Sequence, residues 1–159
     1  MHAIRLAPMA QADFDAFVAQ ATREYARDKV RAGQWRECTA ESMARQTLAD
    51  LLPAGLGTAD HCLYVLRDAV TDRRVGTAWL QIARNAEPPF AYLNDIRIDD
   101  DAKRHGFGRA ALSALEAEAR NAGCCSMQLH VFGHNESARR LYAGAGYRVT
   151  NVNMRKDFS

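Results

Sequence analysis

No run of apolar residues in this chain approaches the ~20 that a membrane span requires, and the N-terminus lacks the charged-then-apolar layout of a signal peptide. Those absences set a membrane partner aside and lead to the expectation of a cytoplasmic protein. Charge of one sign is also scarce. Lys and Arg number 21 against 19 Asp and Glu, a net charge of +2, with acids and bases mixed along the whole length. There is no basic stripe of the kind that dominates affinity for polyanions, so nucleic acid is excluded as a main partner. Only four cysteines occur, Cys38, Cys62, Cys124 and Cys125, at no zinc-ligand spacing, and adjacent Cys124 and Cys125 are poorly placed to pair with each other. They read as reduced thiols packed as small apolar residues. His130 and His134 are four apart but straddle a strand-to-loop junction with no third ligand evident, so no metal is expected. Repeats, low-complexity tracts and linkers are missing too. The 159 residues therefore read as one domain, long enough to bury roughly two-thirds of the surface that the unfolded chain exposes.

What is present centres on Phe90 to Leu112. Phe90 to Ile98 is aromatic and β-branched at strand length, and three aspartates, Asp99 to Asp101, end it. Lys103, Arg104, His105, Gly106, Phe107 and Gly108 form a basic, glycine-bearing loop, and from Arg109 apolar residues recur at helical spacing. In such a loop peptide N–H groups can converge without interference from Cβ atoms, and the helix dipole points at the same place. The implied ligand is an anion, most simply a pyrophosphate.

Around this centre the order of elements is regular. A short strand (His2 to Leu6) precedes two amphipathic helices, the first N-capped by Asp13 with the stripe Phe14, Phe17, Val18, Ala21 and Tyr25, the second N-capped by Thr39 and ending before Pro53. Strands follow at His61 to Leu66 and Val75 to Ile82, joined by a turn at Asp68 to Arg73. After the central strand, loop and helix come a strand at Ser126 to Phe132, a short helix at Asn135 to Ala143, and one or two closing strands within Tyr147 to Phe158. The order β-α-α-β-β-β-α-β-α-β-β makes this an α/β (α+β) protein, and strands flanking a helix at this spacing suggest a parallel βαβ unit. The exposed final strand leaves room for pairing between two copies, a homodimer.

Three pieces occurring in order carry a family resemblance: the strand YLNDIRI, the loop Lys103-x-x-Gly106-x-Gly108 opening a helix, and Asn135-x-x-Ala138-x-x-Leu141-Tyr142-x-x-x-Gly146-Tyr147. Together, from about Phe90 to Thr150, they resemble the GNAT superfamily of N-acetyltransferases, which move an acetyl group from acetyl-CoA to an amine. The family's loop normally begins with Arg or Gln where this chain has Lys103. The resemblance implies a mixed sheet of about six to seven strands, splayed between the fourth and fifth, with about four helices. It places an acetyl-CoA-binding core at about 90–150 and acceptor-side helices at about 13–52.

The resemblance also implies roles. Ile96, Arg97 and Ile98 would offer main-chain contacts to the pantetheine arm, an N–H among them facing the thioester oxygen. Arg104 to Arg109 would hold the diphosphate, with Lys103 at the loop's start, and Asn135 would sit beside the arm. Tyr142 corresponds to the family's tyrosine near the sulfur and is expected to act as general acid. For the base, Asp95 on the central strand is expected to act through water, with His130 on the neighbouring strand second. The acceptor, a small-molecule or peptide amine, should meet the early helices. There Tyr25, Trp35 and Trp79, with Glu24 and Asp28 nearby in sequence, can make an aromatic and acidic site for a cation, or can be core aromatics and solvated charges.

Two other readings exist. Gly106-x-Gly108-x-x-Ala111 satisfies a dinucleotide fingerprint, but seven polar and charged residues separate it from the strand and no acid occurs from Ala119 to Asn135. A non-catalytic acyl-CoA-binding or sensing module on the same fold is the alternative to an enzyme.

Overall fold

The computed structural model describes residues 2–158. Five strands and four α-helices alternate as β1 (Ile4–Pro8), α1 (Gln11–Arg31), α2 (Glu37–Leu51), β2 (His61–Asp68), β3 (Arg74–Ala83), β4 (Phe90–Ile98), α3 (Phe107–Asn121), β5 (Ser126–Leu129) and α4 (Glu136–Gly144). The sheet order is β1-β2-β3-β4-β5. The first four strands are antiparallel, and β5 runs parallel to β4, as expected for two strands joined by a helix.

Both faces of the central strands are apolar, so both must be covered. Leu66, Val75, Leu80, Ile82, Ala91 and Leu93 pack on one face against Phe107, Ala111, Leu112, Leu115 and Ala119 of α3. On the other, Leu63, Val65 and Trp79 pack against Phe17 of α1 and Leu48 of α2. The early helices and α3 therefore sandwich the sheet, which places α1 over the C-terminal half of β4.

The elements start earlier or end sooner than local signals suggest. Asp13 lies inside α1, where its carboxylate accepts the N–H of Ala10, the residue at the cap. The cap of α2 is Arg36 rather than Thr39, whose hydroxyl turns back to the Arg36 carbonyl. β5 ends at Leu129 instead of Phe132. Of the cysteines, Cys124 is buried and Cys62 partly so, while Cys38 and Cys125 are exposed, contrary to the expectation that all four pack inside.

The closing strands are a larger departure. No strand forms in the segment after α4 among the described residues, so the sheet has five strands rather than six to seven. Tyr147 is held, its N–H on the Tyr142 carbonyl and its hydroxyl 3.1 Å from Glu116 Oε1. Beyond it, Val149, Val152, Met154 and Phe158 are 70–93% exposed. The segment has strand composition but no ladder, and strand propensity without a paired edge makes no strand.

Candidate active site

A β-bulge shapes the middle of β4. Leu80 of β3 faces Leu93, but Trp79 faces Asp95, leaving Asn94 as the extra residue. Before the bulge, Ala91 and Leu93 point to the α3 face. After it, Ile96 and Ile98 do so. The extra residue switches the parity of the strand, so Asp95 and Arg97 turn to the α1 side instead of entering the core. The ladder with β5 stops at the same place, pairing Phe90 to Leu93 and no further. From Asn94 to Ile98 the edge of β4 that faces β5 therefore has no strand beside it among the described residues. Ile96, Arg97 and Ile98 lie on that open edge.

The loop before α3 presents its backbone outward. Arg104 and Gly106 both take left-handed conformations (φ 64° and 84°), a geometry that turns successive N–H groups toward a common side. Among the described residues, no protein acceptor meets the peptide N–H groups of Arg104, His105, Gly106, Phe107, Gly108 or Arg109, and the first bond of the helix is Ala110 N–H to the Gly106 carbonyl. The side chains have other duties. Lys103 Nζ is 2.6 Å from Asp100 Oδ1, which holds the Asp100 carboxyl below the usual range. Arg109 donates to the Gly144 carbonyl at the end of α4. Gly108 is set by packing: a Cβ there would sit 3.2 Å from Leu141 Cδ2 and 3.9 Å from Ile98 Cγ1, so its missing side chain lets α4 and β4 close on α3 and does not face the loop's N–H groups.

Asp95 on β4 and Tyr142 on α4 are linked electrostatically. Burial, followed by the charge of Glu24, raises the Asp95 carboxyl to about 7, with Arg97 opposing. Burial and then the Asp95 charge push the Tyr142 phenol up to about 12. His130, just beyond β5, is lowered by burial and by Lys29. Tyr142 also packs on the core with Leu141 and meets the Tyr147 ring at 5.8 Å. The Asn135 side chain is the N-cap of α4, its Oδ1 accepting from Ala138 N–H at 3.1 Å.

On the acceptor side the sequence expectation divides. Glu24 lines a small cavity with Phe17, Gln20, Thr77 and Asp95 and approaches Arg97 Nη1 at 3.6 Å. Trp79 does not, being 4% exposed in the core with its Nε1 donating to His61 Nδ1. Tyr25 and Trp35 pack edge to face at 5.3 Å, but the protein's own Lys29 ammonium lies over both rings, 5.4 and 5.3 Å from their centres, and 6.0 Å from Phe132. Asp28 Oδ1 accepts from His134 Nε2 at 2.9 Å. Sequence reasoning missed Asn94, whose buried Nδ2 has no partner among the described residues. The signal was available: Asn94-Asp95, two adjacent polar residues in an apolar strand, breaks the period of two.

The comparisons with known proteins agree with this geometry. The family model described as the acetyltransferase (GNAT) family matches residues 19–147. The Bacillus subtilis protein YycN, described as an uncharacterized N-acetyltransferase, is 35% identical over 153 residues, covering 96% of this chain and 97% of that protein. A second Bacillus subtilis protein with the same description, YdgE, is 29% identical over 97% of this chain and 98% of its own length. The crystal structure of YycN superposes with a TM-score of 0.94 over 98% of this chain and 99% of that one. An acetyl transferase of Pyrococcus furiosus, 18% identical, shares the fold at a TM-score of 0.67 over 99% of this chain and 100% of that one. With a matched span covering most of the sequence, β4, the loop before α3 and α4 all inside it, the chain belongs to the GNAT acetyltransferase family.

Proposed function

We propose that the chain transfers the acetyl group of acetyl-CoA directly to a primary amine, both substrates being bound together. The observation that carries the reading is the open edge of β4 from Asn94 to Ile98, where β5 leaves it, followed by a loop whose peptide N–H groups meet no protein acceptor among the described residues. The residues present fit acetyl-CoA. The free N–H groups of 104–109 suit a diphosphate, and the open edge of β4 at Ile96 to Ile98 suits an amide-bearing arm laid alongside it as an added strand. Acetyl-CoA brings an activated acyl thioester and needs no metal.

The two titratable groups divide the proton work. Asp95, raised to about 7, is ionised in a useful fraction at neutral pH yet basic enough to take the proton that an attacking amine releases. As the C–N bond forms and the C–S bond breaks, Tyr142 donates its phenolic proton toward the departing sulfur. An isolated phenol near 12 would part with that proton reluctantly. But the Asp95 charge is one cause of that high value, so protonating Asp95 lowers Tyr142 and readies the acid as the base is used. Afterwards the proton on Asp95 can return the phenolate to neutrality, leaving the amide product and free CoA thiol. Glu24 on α1 keeps the acceptor approach acidic, which favours an amine arriving as a cation; that ammonium gives one proton to solvent before the neutral amine attacks.

The test is thiol release by purified protein with acetyl-CoA and a panel of primary amines. Release that depends on the amine supports the reading. CoA binding with no amine-dependent release would replace it with the sensing module.

A further inference from the structure

Three aromatic rings from three places in the chain converge on one ammonium group. Tyr25 comes from α1, Trp35 from the turn between α1 and α2, and Phe132 from the segment after β5. The Lys29 ammonium lies 5.4, 5.3 and 6.0 Å from their centres, the range over which a ring face attracts a cation. Gln34 Oε1 accepts from it at 2.8 Å. Asp28, the acid beside it in sequence, is taken by His134.

The walls of this cage stand without the Lys29 side chain. Tyr25 and Trp35 brace each other edge to face and pack with Val30 against Ala26, Ala40 and Ala44. Gly33, in a left-handed conformation (φ 70°), turns the chain so that the Gln34 and Trp35 N–H groups return to the Lys29 carbonyl, a backbone contact that survives loss of the side chain. Phe132 stacks on His134 at 5.4 Å and meets His130 edge-on at 4.9 Å, and the bond from His134 to Asp28 fastens that segment to α1. Lys29 is the weakly held part. Its flexible stem gives up rotamer freedom to stay there, and its compact primary ammonium gives up strong hydration. A quaternary ammonium is recognised better by the same ring faces.

We propose that the Tyr25, Trp35 and Phe132 rings form a binding site for organic ammonium ions, with Lys29 as a tethered occupant that an external cation displaces. The site is separate from the Asp95 cavity. Glu24, which lines that cavity, precedes Lys29 by five residues of α1, an advance of about 7.5 Å along the helix axis. Occupation by Lys29 lowers the apparent affinity for outside cations, since only molecules with the side chain swung out can bind them. The inference concerns binding alone and is independent of the acetyl-transfer reading.

The test is a titration of the full chain with choline, a quaternary ammonium, followed by tryptophan emission. Of the two tryptophans, Trp79 is sealed in the core, so Trp35 reports the site. Lys29→Ala places the best helix former at that position and should keep the wild-type circular-dichroism spectrum. It should bind choline about tenfold more tightly than the wild type, because the cage no longer has to be vacated. Lys29→Arg returns a cation to the rings and should bind as weakly as the wild type. The neutral isostere of choline, with carbon in place of nitrogen, should leave the emission of Lys29→Ala unchanged. Absence of a saturable response in Lys29→Ala, equal choline affinities in Lys29→Ala and Lys29→Arg, or equal binding of the neutral isostere would overturn the site.

Discussion

Asp95 is the residue whose ionisation the fold controls most visibly. Its carboxyl, raised to about 7 from an ordinary 3.8, carries a cost when charged in the folded chain. Between those values the folded state holds a proton that the unfolded state has released, so stability declines as pH rises through that window. Asp95→Asn should therefore melt higher than the wild type at pH 8 and show little advantage at pH 4, as read by thermal denaturation at both pH values. The same substitution should lower kcat by about 10²-fold, and the wild-type kcat/KM should rise with pH to a plateau above about 7. A flat profile would remove Asp95 as base. Tyr142→Phe keeps the packing against Leu141 and removes the proton. It should lower kcat by about 10²-fold with little change in acetyl-CoA affinity, a split read by steady-state kinetics and a binding titration.

At the scale of elements, close backbone approach sets the tolerances. A Cβ on Gly76 in β3 would lie 2.0 Å from the Arg97 carbonyl oxygen of β4, too near for any rotamer to relieve. Gly76→Ala should cost about 3 kcal/mol in urea denaturation, because the whole β3–β4 pairing must shift. The loop before α3 gives the opposite contrast between side chain and backbone. Since Lys103 is engaged by Asp100, Lys103→Ala should weaken CoA binding only a few-fold in a calorimetric titration. Gly108→Val, which drives into Leu141, should lower stability as well as CoA affinity. A larger affinity loss for Lys103→Ala than for Gly108→Val would assign the grip to the side chain rather than to the peptide nitrogens.

For the whole molecule, ligand and fold are linked by mass action. A ligand held by the 104–109 loop and the β4 edge binds the folded chain alone, since both sites exist only when α3, β4 and α4 are packed together. CoA at 100 times its Kd should add about 2.7 kcal/mol of stability, a rise in melting temperature of about 5–10 °C for a chain of this size. Differential scanning fluorimetry reads this directly, and no shift at millimolar CoA would exclude the site. The two layers of helices also divide the labour: α3 and α4 support the loop and Tyr142, while α1 brings Glu24 to the other side of Asp95.

The sequence by itself determined most of the elements through β5 and the family. Apolar spacing set the four helices and the span of β4 to the residue, and the glycines around Phe107 set a loop whose N–H groups meet no protein acceptor among the described residues, because these are properties of neighbours along the chain. Contacts distant in sequence decided the rest. Whether Trp79 would be core or ligand surface depended on Phe17 and His61 arriving from elsewhere, and the rings of Tyr25 and Trp35 are met by Lys29 rather than left open. The direction of Asp95 depended on a single unpaired residue in β4, visible only once β3 fixed the register. The closing segment shows the same limit: its residues favour a strand, but a strand exists only where an edge receives it, and that edge is a feature of the assembled sheet.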